Sequence, residues 1–294
     1  MKQIQLVQPI RLFAPAKVNL ELEITGRRND GYHEIVTVIQ AISLFDVIEL
    51  RPADHFSFAS DADVDTEHDL GLRAIRLFED RLGFQLAAEV RVEKRIPLAA
   101  GLGGGSSDAG TLLAALAKLA RIEPESAEEL AAELGSDVPF FVRGGTTLAT
   151  GTGTDLMPLP SPTRLWFVII TPDVDITNKT TRLYGSLTPS DYTDGESARG
   201  LAGSIERGQE LRLISSSNAF SRSLYEIAEI DRARKLVLDL GAPFVLPCGA
   251  GPSLFTVLDR WDDARDLAVH LCEAGLRAVA CTSVGPKLNK GRLL

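Results

Sequence analysis

Pro97-Leu98-Ala99-Ala100-Gly101-Leu102-Gly103-Gly104-Gly105-Ser106-Ser107-Asp108 lies between an alternating run, Glu89–Ile96, and an apolar stripe made of Ala109, Leu112, Leu113, Leu116, Leu119 and Ala120. The order is strand, glycine loop, helix. Glycines let the backbone turn tightly and let amide N–H groups approach a ligand with no Cβ in the way. At a helix N-terminus those donors and the helix dipole make an anion site. Ser106 and Ser107 add hydroxyls suited to a phosphate oxygen or a magnesium ion. The loop is neither a Walker A loop, which needs Gly-Lys-Ser/Thr, nor the dinucleotide fingerprint, because Ser106 stands where its third glycine belongs. No H-R-D or D-F-G triplet marks a protein kinase. A flexible linker is the bland alternative, but linkers do not join a strand to a well-formed amphipathic helix.

The chain has 294 residues, 31 Lys plus Arg and 40 Asp plus Glu, for a formal net charge of −9. At about 100–200 residues per domain this length suggests two domains or one large one. An acidic chain with a pI near 5.1 lacks the concentrated positive charge of a nucleic-acid coat or membrane-surface protein. An anionic ligand must therefore be held by local geometry. Cys248, Cys272 and Cys281 form no C-x-x-C pair, so free buried thiols in a reducing cytosol are expected. The start has no secretory pattern, and the apolar run 165–170 is far too short to span a bilayer. The Asn178-Lys179-Thr180 sequon is expected to be inert. These features point to a cytoplasmic protein with no nucleic-acid or membrane partner.

Extended segments are expected at 10–13, 18–24, 35–39 and 46–50, with a polar turn at Gly26–Gly31. A helix is expected over 70–82, stopped by Gly83. Ser126-x-x-Glu129 reads as a capping box for a second helix ending at Gly135. Asp137 and Pro139 mark a short helix start. Pro158, Pro160 and Pro162 place a domain boundary near residue 160, giving domains 1–160 and 161–294. The second half reads as strand 165–171, a long helix carrying Phe220, Leu224, Ile227 and Val237, strands near 243–246 and 253–258, helix 262–274 and strand 277–283. That β-α-β-β-α-β order is ferredoxin-like. The polar stretch 186–217 reads in part as a surface insertion. There is no internal repeat or low-complexity tract.

Lys17 and Asn19 are two apart on a strand and share a face, either solvent or a site wall. Asp137 sits among apolar residues, where an unpaired carboxylate is costly; alone it would read as a helix cap. Tyr32-His33 follows a turn and alone would read as a surface pair.

Taken together, Ala14–Leu20, Gly26-Arg27-Arg28-Asn29-Asp30-Gly31-Tyr32-His33-Glu34, Pro97–Ala109, Gly135-Ser136-Asp137-Val138-Pro139-Phe140-Phe141 and Gly249-Ala250-Gly251-Pro252-Ser253-Leu254-Phe255 resemble the GHMP kinases, in the same order, from about residue 11 to 283. The glycine loop marks the superfamily; the G-R-R-x-D-G-Y-H and D-V-P-F-F segments resemble the branch that phosphorylates a cytidine-diphosphate-linked methylerythritol. The resemblance implies an α+β, two-domain fold: an N-terminal ribosomal-protein-S5-domain-2-like α/β domain and a C-terminal ferredoxin-like βαββαβ domain. It also implies ATP as phosphoryl donor with Mg²⁺, and an enzyme acting on small molecules as a monomer or weak homodimer.

Residue by residue, Asp137 matches the catalytic carboxylate and Lys17 the lysine paired with it. Lys94 and Pro97 match positions at the nucleotide, and Gly101, Leu102, Gly103, Gly104, Gly105, Ser106 and Ser107 the triphosphate cradle. Mg²⁺ is carried mainly by phosphate oxygens, with Ser107 as a possible protein ligand. Asn19, Tyr32 and His33 match the acceptor side. A second aromatic is expected opposite Tyr32; Thr180-x-x-x-Tyr184 is the candidate, with Thr177 offering a competing register. Gly249, Gly251 and Ser253 belong to the third glycine loop. The chain departs from the family pattern at Asp69, where Asn is frequent, at Ala219, where Asp is common, and at Pro247-Cys248-Gly249-Ala250, where Met-Ser-Gly-Ser is usual. Competing readings are another small-molecule kinase, for mevalonate, homoserine or a sugar, and a silent nucleotide-binding regulator.

Overall fold

The computed structural model describes residues 2–61, 66–211 and 213–286. Its first sheet holds β1 (Lys2–Gln5), β2 (Ile10–Arg27), β3 (His33–Pro52), β4 (Ser57–Ser60), β5 (Phe84–Glu93), β6 (Thr146–Thr150) and β7 (Asp155–Leu159). Strand β2 runs antiparallel along almost the whole of β3, which also pairs with β5 through Val47–Pro52 and with β6 through Thr37–Gln40. Four expected short strands are therefore two long ones. From Ala14 to Ile24 every residue of β2 is buried, and although 18–24 alternates apolar with polar types, the small residues and proline of Ala14-Pro15-Ala16 hide where the strand continues. The expected gap near Pro15 is a register shift inside the strand, placed where proline offers no N–H to the ladder.

Helices α1 (Leu70–Leu82), α2 (Gly104–Ala120), α3 (Pro124–Leu134) and α4 (Val138–Arg143) belong to the same half of the chain. Ile75, Phe78, Leu112, Leu116 and Leu130 pack with Leu12, Ile48, Leu50 and Val90 in one core. Helix α1 has the bounds expected of it, with left-handed Gly83 at its end. Asp69 caps it, accepting from the amides of Gly71 (2.7 Å) and Leu72 (3.3 Å), a task Asn performs equally. The expected capping box does not form: α3 starts earlier, with Glu123 at the cap and Pro124 in the first turn, where proline is favoured.

The second sheet holds β8 (Trp166–Thr171), β9 (Leu246–Pro247), β10 (Leu254–Leu258) and β11 (Arg277–Thr282), in the order β11-β8-β10-β9 and all antiparallel. Between β8 and β9 come α5 (Lys179–Gly185), α6 (Glu196–Glu206), α7 (Ser221–Tyr225) and α8 (Ala228–Asp239); α9 (Trp261–Glu273) connects β10 to β11. This is the ferredoxin-like arrangement. The single long helix expected through Ile227 is two helices, because Ile227 is extended and caps α8. Apolar spacing runs on across that break and conceals it.

The stretch read as an insertion is structural. Helix α6 buries Ala198, Ala202 and Ile205 in a core shared by Val18, Leu20 and Val38 of the first sheet and Phe167, Ile169 and Phe255 of the second. Of the cysteines, all unpaired, Cys248 and Cys281 are buried but Cys272 is exposed, against expectation. Among the described residues no helix is long and apolar enough to cross a membrane.

Candidate active site

The glycine loop ends earlier than its composition suggests. Gly103 is left-handed (φ 74°) and caps α2, so Gly104, Gly105, Ser106 and Ser107 form the first turn of the helix. The first intrahelical bond runs from the Ser107 amide to the Gly103 carbonyl, 2.8 Å, which leaves the amides of Gly104, Gly105 and Ser106 without helical partners. Three donors at one dipole end are the expected anion cradle. Leu102 is 1 % exposed and packs in the shared core; it anchors the loop instead of touching a ligand. Ser107 is fully buried and donates to the Pro15 carbonyl at 2.6 Å, so it is withdrawn from magnesium. Ser106 is the hydroxyl the helix start still offers.

The third glycine loop closes directly on the first. The Ser253 amide donates across to the Ala100 carbonyl (3.2 Å), while within the third loop the Gly251 amide donates to the Cys248 carbonyl (2.8 Å). A Cβ on Gly101, whose φ is +81°, would lie 2.0 Å from the Cys248 oxygen. Gly101→Ala is therefore expected to destabilise the fold by roughly 1–3 kcal/mol, read by urea unfolding; an unchanged midpoint would mean the loops separate without cost. Ser253 itself is fully buried, with its hydroxyl 3.1 Å from that of Thr171, so it supports the loop and does not face a ligand. Asn218 holds the loop from below, donating to the carbonyls of Pro247 (3.1 Å) and Gly249 (2.9 Å). The departure at Ala219 leaves that role intact, since the residue's amide bonds the Leu22 carbonyl.

Lys17 and Asn19 are buried walls, not solvent-facing residues (6 % and 4 % exposed). The Lys17 amide donates to the Leu102 carbonyl at 3.0 Å, fastening β2 to the loop. Its ammonium donates to Asn19 Oδ1 at 2.9 Å, and Asn19 Nδ2 donates to the Thr37 hydroxyl at 2.8 Å. Asn19 thus orients the lysine, whereas the sequence suggested an acceptor contact. A Cβ on Gly249 would sit 2.9 Å from Lys17 Nζ, so only glycine gives the ammonium its room.

Asp137 Oδ2 is 3.8 Å from Lys17 Nζ, and its side chain is 44 % exposed. It occupies the cap position of α4 but makes no capping bond. A carboxylate at a helix start that does not cap, beside a buried ammonium, is free to act on something entering from solvent.

Lys94 belongs elsewhere. Its ammonium is held by Asp46 and Asp108, and Asp46 also accepts the amides of Arg95 (2.5 Å) and Ile96 (2.8 Å). Burial pulls the Lys94 pKa down, but the two carboxylates outweigh it and the net direction is up. Burial drives Asp108 up to about 7 against the pull of Lys94. Lys94 is a strut beneath the start of α2, and its ammonium is not available to a nucleotide. Pro97 follows, half-buried, at the loop entrance.

A cavity of about 560 Å³ is lined by Tyr32, His33, Thr180, Tyr184, Tyr192 and Arg27, among others. Four of the five residues expected on the acceptor side, Tyr32, His33, Thr180 and Tyr184, are thus together; Asn19 and the alternative Thr177 are not in the wall. His33 lies between Tyr184 (centroids 5.1 Å) and Tyr192 (6.1 Å). Burial, then Arg27, lower the His33 pKa, so the ring stays neutral with one donor and one acceptor. Burial, then the Asp137 charge, raise the Tyr184 phenol to about 12, which also places the cavity beside the Lys17–Asp137 pair. Tyr192 and Arg27 went unread. Tyr192 sits in the polar stretch taken for an insertion, where an isolated aromatic was the available signal. Arg27 stands in the Gly26–Glu34 motif, whose pattern alone gives it no ligand contact.

Residues 69–145 match the family model described as the GHMP kinases N terminal domain. The chain is 40% identical over 283 residues to the 4-diphosphocytidyl-2-C-methyl-D-erythritol kinase of Dehalococcoides mccartyi strain CBDB1, covering 94% of this chain and 99% of that one. To the kinase of the same name from Pelotomaculum thermopropionicum it is 34% identical over 290 residues, covering 95% and 99%. A crystal structure of 4-(cytidine 5'-diphospho)-2C-methyl-D-erythritol kinase superposes with a TM-score of 0.81 at 32% identity, over 94% of this chain and all of that one. Homoserine kinase from Cytophaga hutchinsonii shares the fold, with a TM-score of 0.68 at 21% identity over 95% of each chain. With the cradle, the Lys17–Asp137 pair and the aromatic cavity in one cleft, and relatives matched over nearly their full length, the chain belongs to the GHMP kinases and, within them, to the 4-diphosphocytidyl-2-C-methyl-D-erythritol kinase family.

Proposed function

We propose that this enzyme transfers the γ-phosphoryl group of ATP to the 2-hydroxyl of 4-diphosphocytidyl-2-C-methyl-D-erythritol, a step of non-mevalonate isoprenoid biosynthesis. The observation that carries the reading is the position of Lys17 and Asp137 between the open amides of α2 and the aromatic cavity. Asp137 accepts the proton of the acceptor hydroxyl as its oxygen bonds to the γ-phosphorus, and the bond from that phosphorus to the β-phosphate oxygen breaks. Lys17, fixed by Asn19, balances the charge that develops on the transferred group. Such transfer depends mostly on positioning and electrostatics. The amides of Gly104, Gly105 and Ser106 hold phosphate oxygens.

The donor set fits a magnesium ion carried by the nucleotide, with Ser106 as the nearest hydroxyl at the helix start; when bound, the ion neutralises phosphate charge. The cytidine end enters the cavity, where Tyr184 and Tyr32 offer faces and neutral His33 meets the base edge. The reading extends to a cytoplasmic enzyme, monomeric or weakly dimeric. Its domains divide near residue 160.

Purified protein assayed with ATP and the cytidine acceptor, mevalonate or homoserine tests the substrate. Turnover of mevalonate or homoserine alone would overturn the choice, and tight ATP binding without turnover of any acceptor would favour a regulator. Tyr184→Ala is expected to raise the acceptor KM by roughly 5- to 100-fold, the value of about 1–3 kcal/mol for one base–aromatic stack. Tyr32→Ala, at the exposed rim, should act in the same direction. A rise confined to the ATP KM would reverse the division of the cleft.

A further inference from the structure

Lys179 opens α5 and is assigned no part in the chemistry above. Its ammonium donates to the Ala99 carbonyl at 2.5 Å and to the Gly251 carbonyl. Ala99 belongs to the first glycine loop, Gly251 to the third, and Lys179 reaches both from the second half of the chain. One ammonium thus ties together the two backbone segments that face the triphosphate.

Two features set this contact apart. First, among the described residues no carboxylate pairs with Lys179. Burial and then the Lys17 ammonium lower its pKa to about 8, so a second cation lies near the first. Lys17 has only a half-exposed carboxylate 3.8 Å away. Lys17 is buried and Lys179 part-buried; unbalanced positive charge there is costly unless an anion joins it, and in a protein of net charge −9 such an excess is local by construction. Second, the backbone is left-handed at all three corners: Ala99 (φ 52°), Asn178 (φ 50°) and Gly251 (φ 62°). Ala99 and Asn178 are two of the three described non-glycine residues with positive φ, a conformation that L-residues hold only when their surroundings impose it.

We propose that Lys179 is a positioning residue of the phosphate cradle: its ammonium clasps the two glycine loops as a bound monovalent cation would and supplies the positive charge that the triphosphate meets. This inference rests on the reading of those loops as the ATP site. It requires nothing of the acceptor.

Calorimetric titration with a non-hydrolysable ATP analogue and Mg²⁺ tests it on the full-length protein. Lys179→Met is expected to bind the analogue at least tenfold more weakly while its melting temperature stays level or rises, since a part-buried charge beside a second ammonium has been removed. Lys179→Ala should lose affinity likewise and regain part of it in ammonium chloride, but not in tetramethylammonium chloride of equal concentration. Analogue affinity within threefold of wild type in Lys179→Met overturns the proposal. So does an alanine variant indifferent to ammonium, or a fall in melting temperature that accounts for the lost binding. A wild-type protein that binds the analogue but leaves the cytidine acceptor unphosphorylated would refute the substrate assignment and leave this titration intact.

Discussion

Asp137→Asn is expected to lower kcat with the cytidine acceptor by on the order of 10²- to 10⁴-fold, the range for losing general acid–base help. The replacement keeps size and shape but cannot take a proton. Two features make it a clean test. The carboxylate makes no capping bond at α4, and nearly half of its side chain is in solvent, so little stability depends on it. The cradle amides and Lys179 lie on other elements, so affinity for an ATP analogue should change by less than about threefold, under 1 kcal/mol. A kcat within threefold of wild type would remove Asp137 from the proton transfer and leave Lys17 and the cradle to act by position alone.

The second large effect concerns stability. Lys94→Met should cost about 3–5 kcal/mol in denaturant unfolding, the price of stripping the partner from buried charges. Lys94 joins Asp46 and Asp108, whose side chains are 0% and 3% exposed; it bonds Asp108 through Oδ2, and Asp108 Oδ1 has no hydrogen-bond partner. Methionine fills the space but leaves two carboxylates facing each other. The pH dependence follows from Asp108. Its folded pKa, about 7, lies above the ordinary 3.8, so its stabilising contribution is present at low pH and lost as pH rises through about 7. Removing the ammonium makes the folded state hold protons still more tightly, so the gap between wild type and variant should widen from pH 5 to pH 8. A constant gap would mean that the loss is one of packing and not of charge.

Much of this was legible in the residues. Helix α1 shows because an apolar stripe and Gly83 agree on its limits, and the ferredoxin-like half because its strands and helices are short and punctuated. Lys17, Asp137, Tyr32, His33 and Tyr184 could be named because motifs fix residue types at fixed spacings. What stayed hidden has a common cause. Strand β2 runs straight through Ala14-Pro15-Ala16, a small-residue and proline stretch that reads as a gap. Helix α6 packs through alanines in a polar stretch, where hydropathy is mute. Ser107, Ser253 and Lys94 bear the right chemistry in the right motifs, yet their polar atoms are already engaged by Pro15, Thr171 and two aspartates, and only coordinates reveal whether a side chain is spoken for. Lys179 lies in no motif but the sequon Asn178-Lys179-Thr180, which carries no sign of its reach to Ala99 and Gly251.

The core shared between the sheets bears on how such a chain can be rearranged. Segment 217–219 lies alongside Leu22, exchanging main-chain bonds with it, and the Ala198 amide at the start of α6 is held by Glu23 at 2.7 Å. The strand that carries Lys17 is thus finished by residues made nearly two hundred positions later. Splitting the gene at the proline-rich junction would give a first fragment with that strand's outer edge and apolar face bare. During synthesis the ribosome releases the same unfinished surface, so the lysine's pocket is completed only once the second half has emerged.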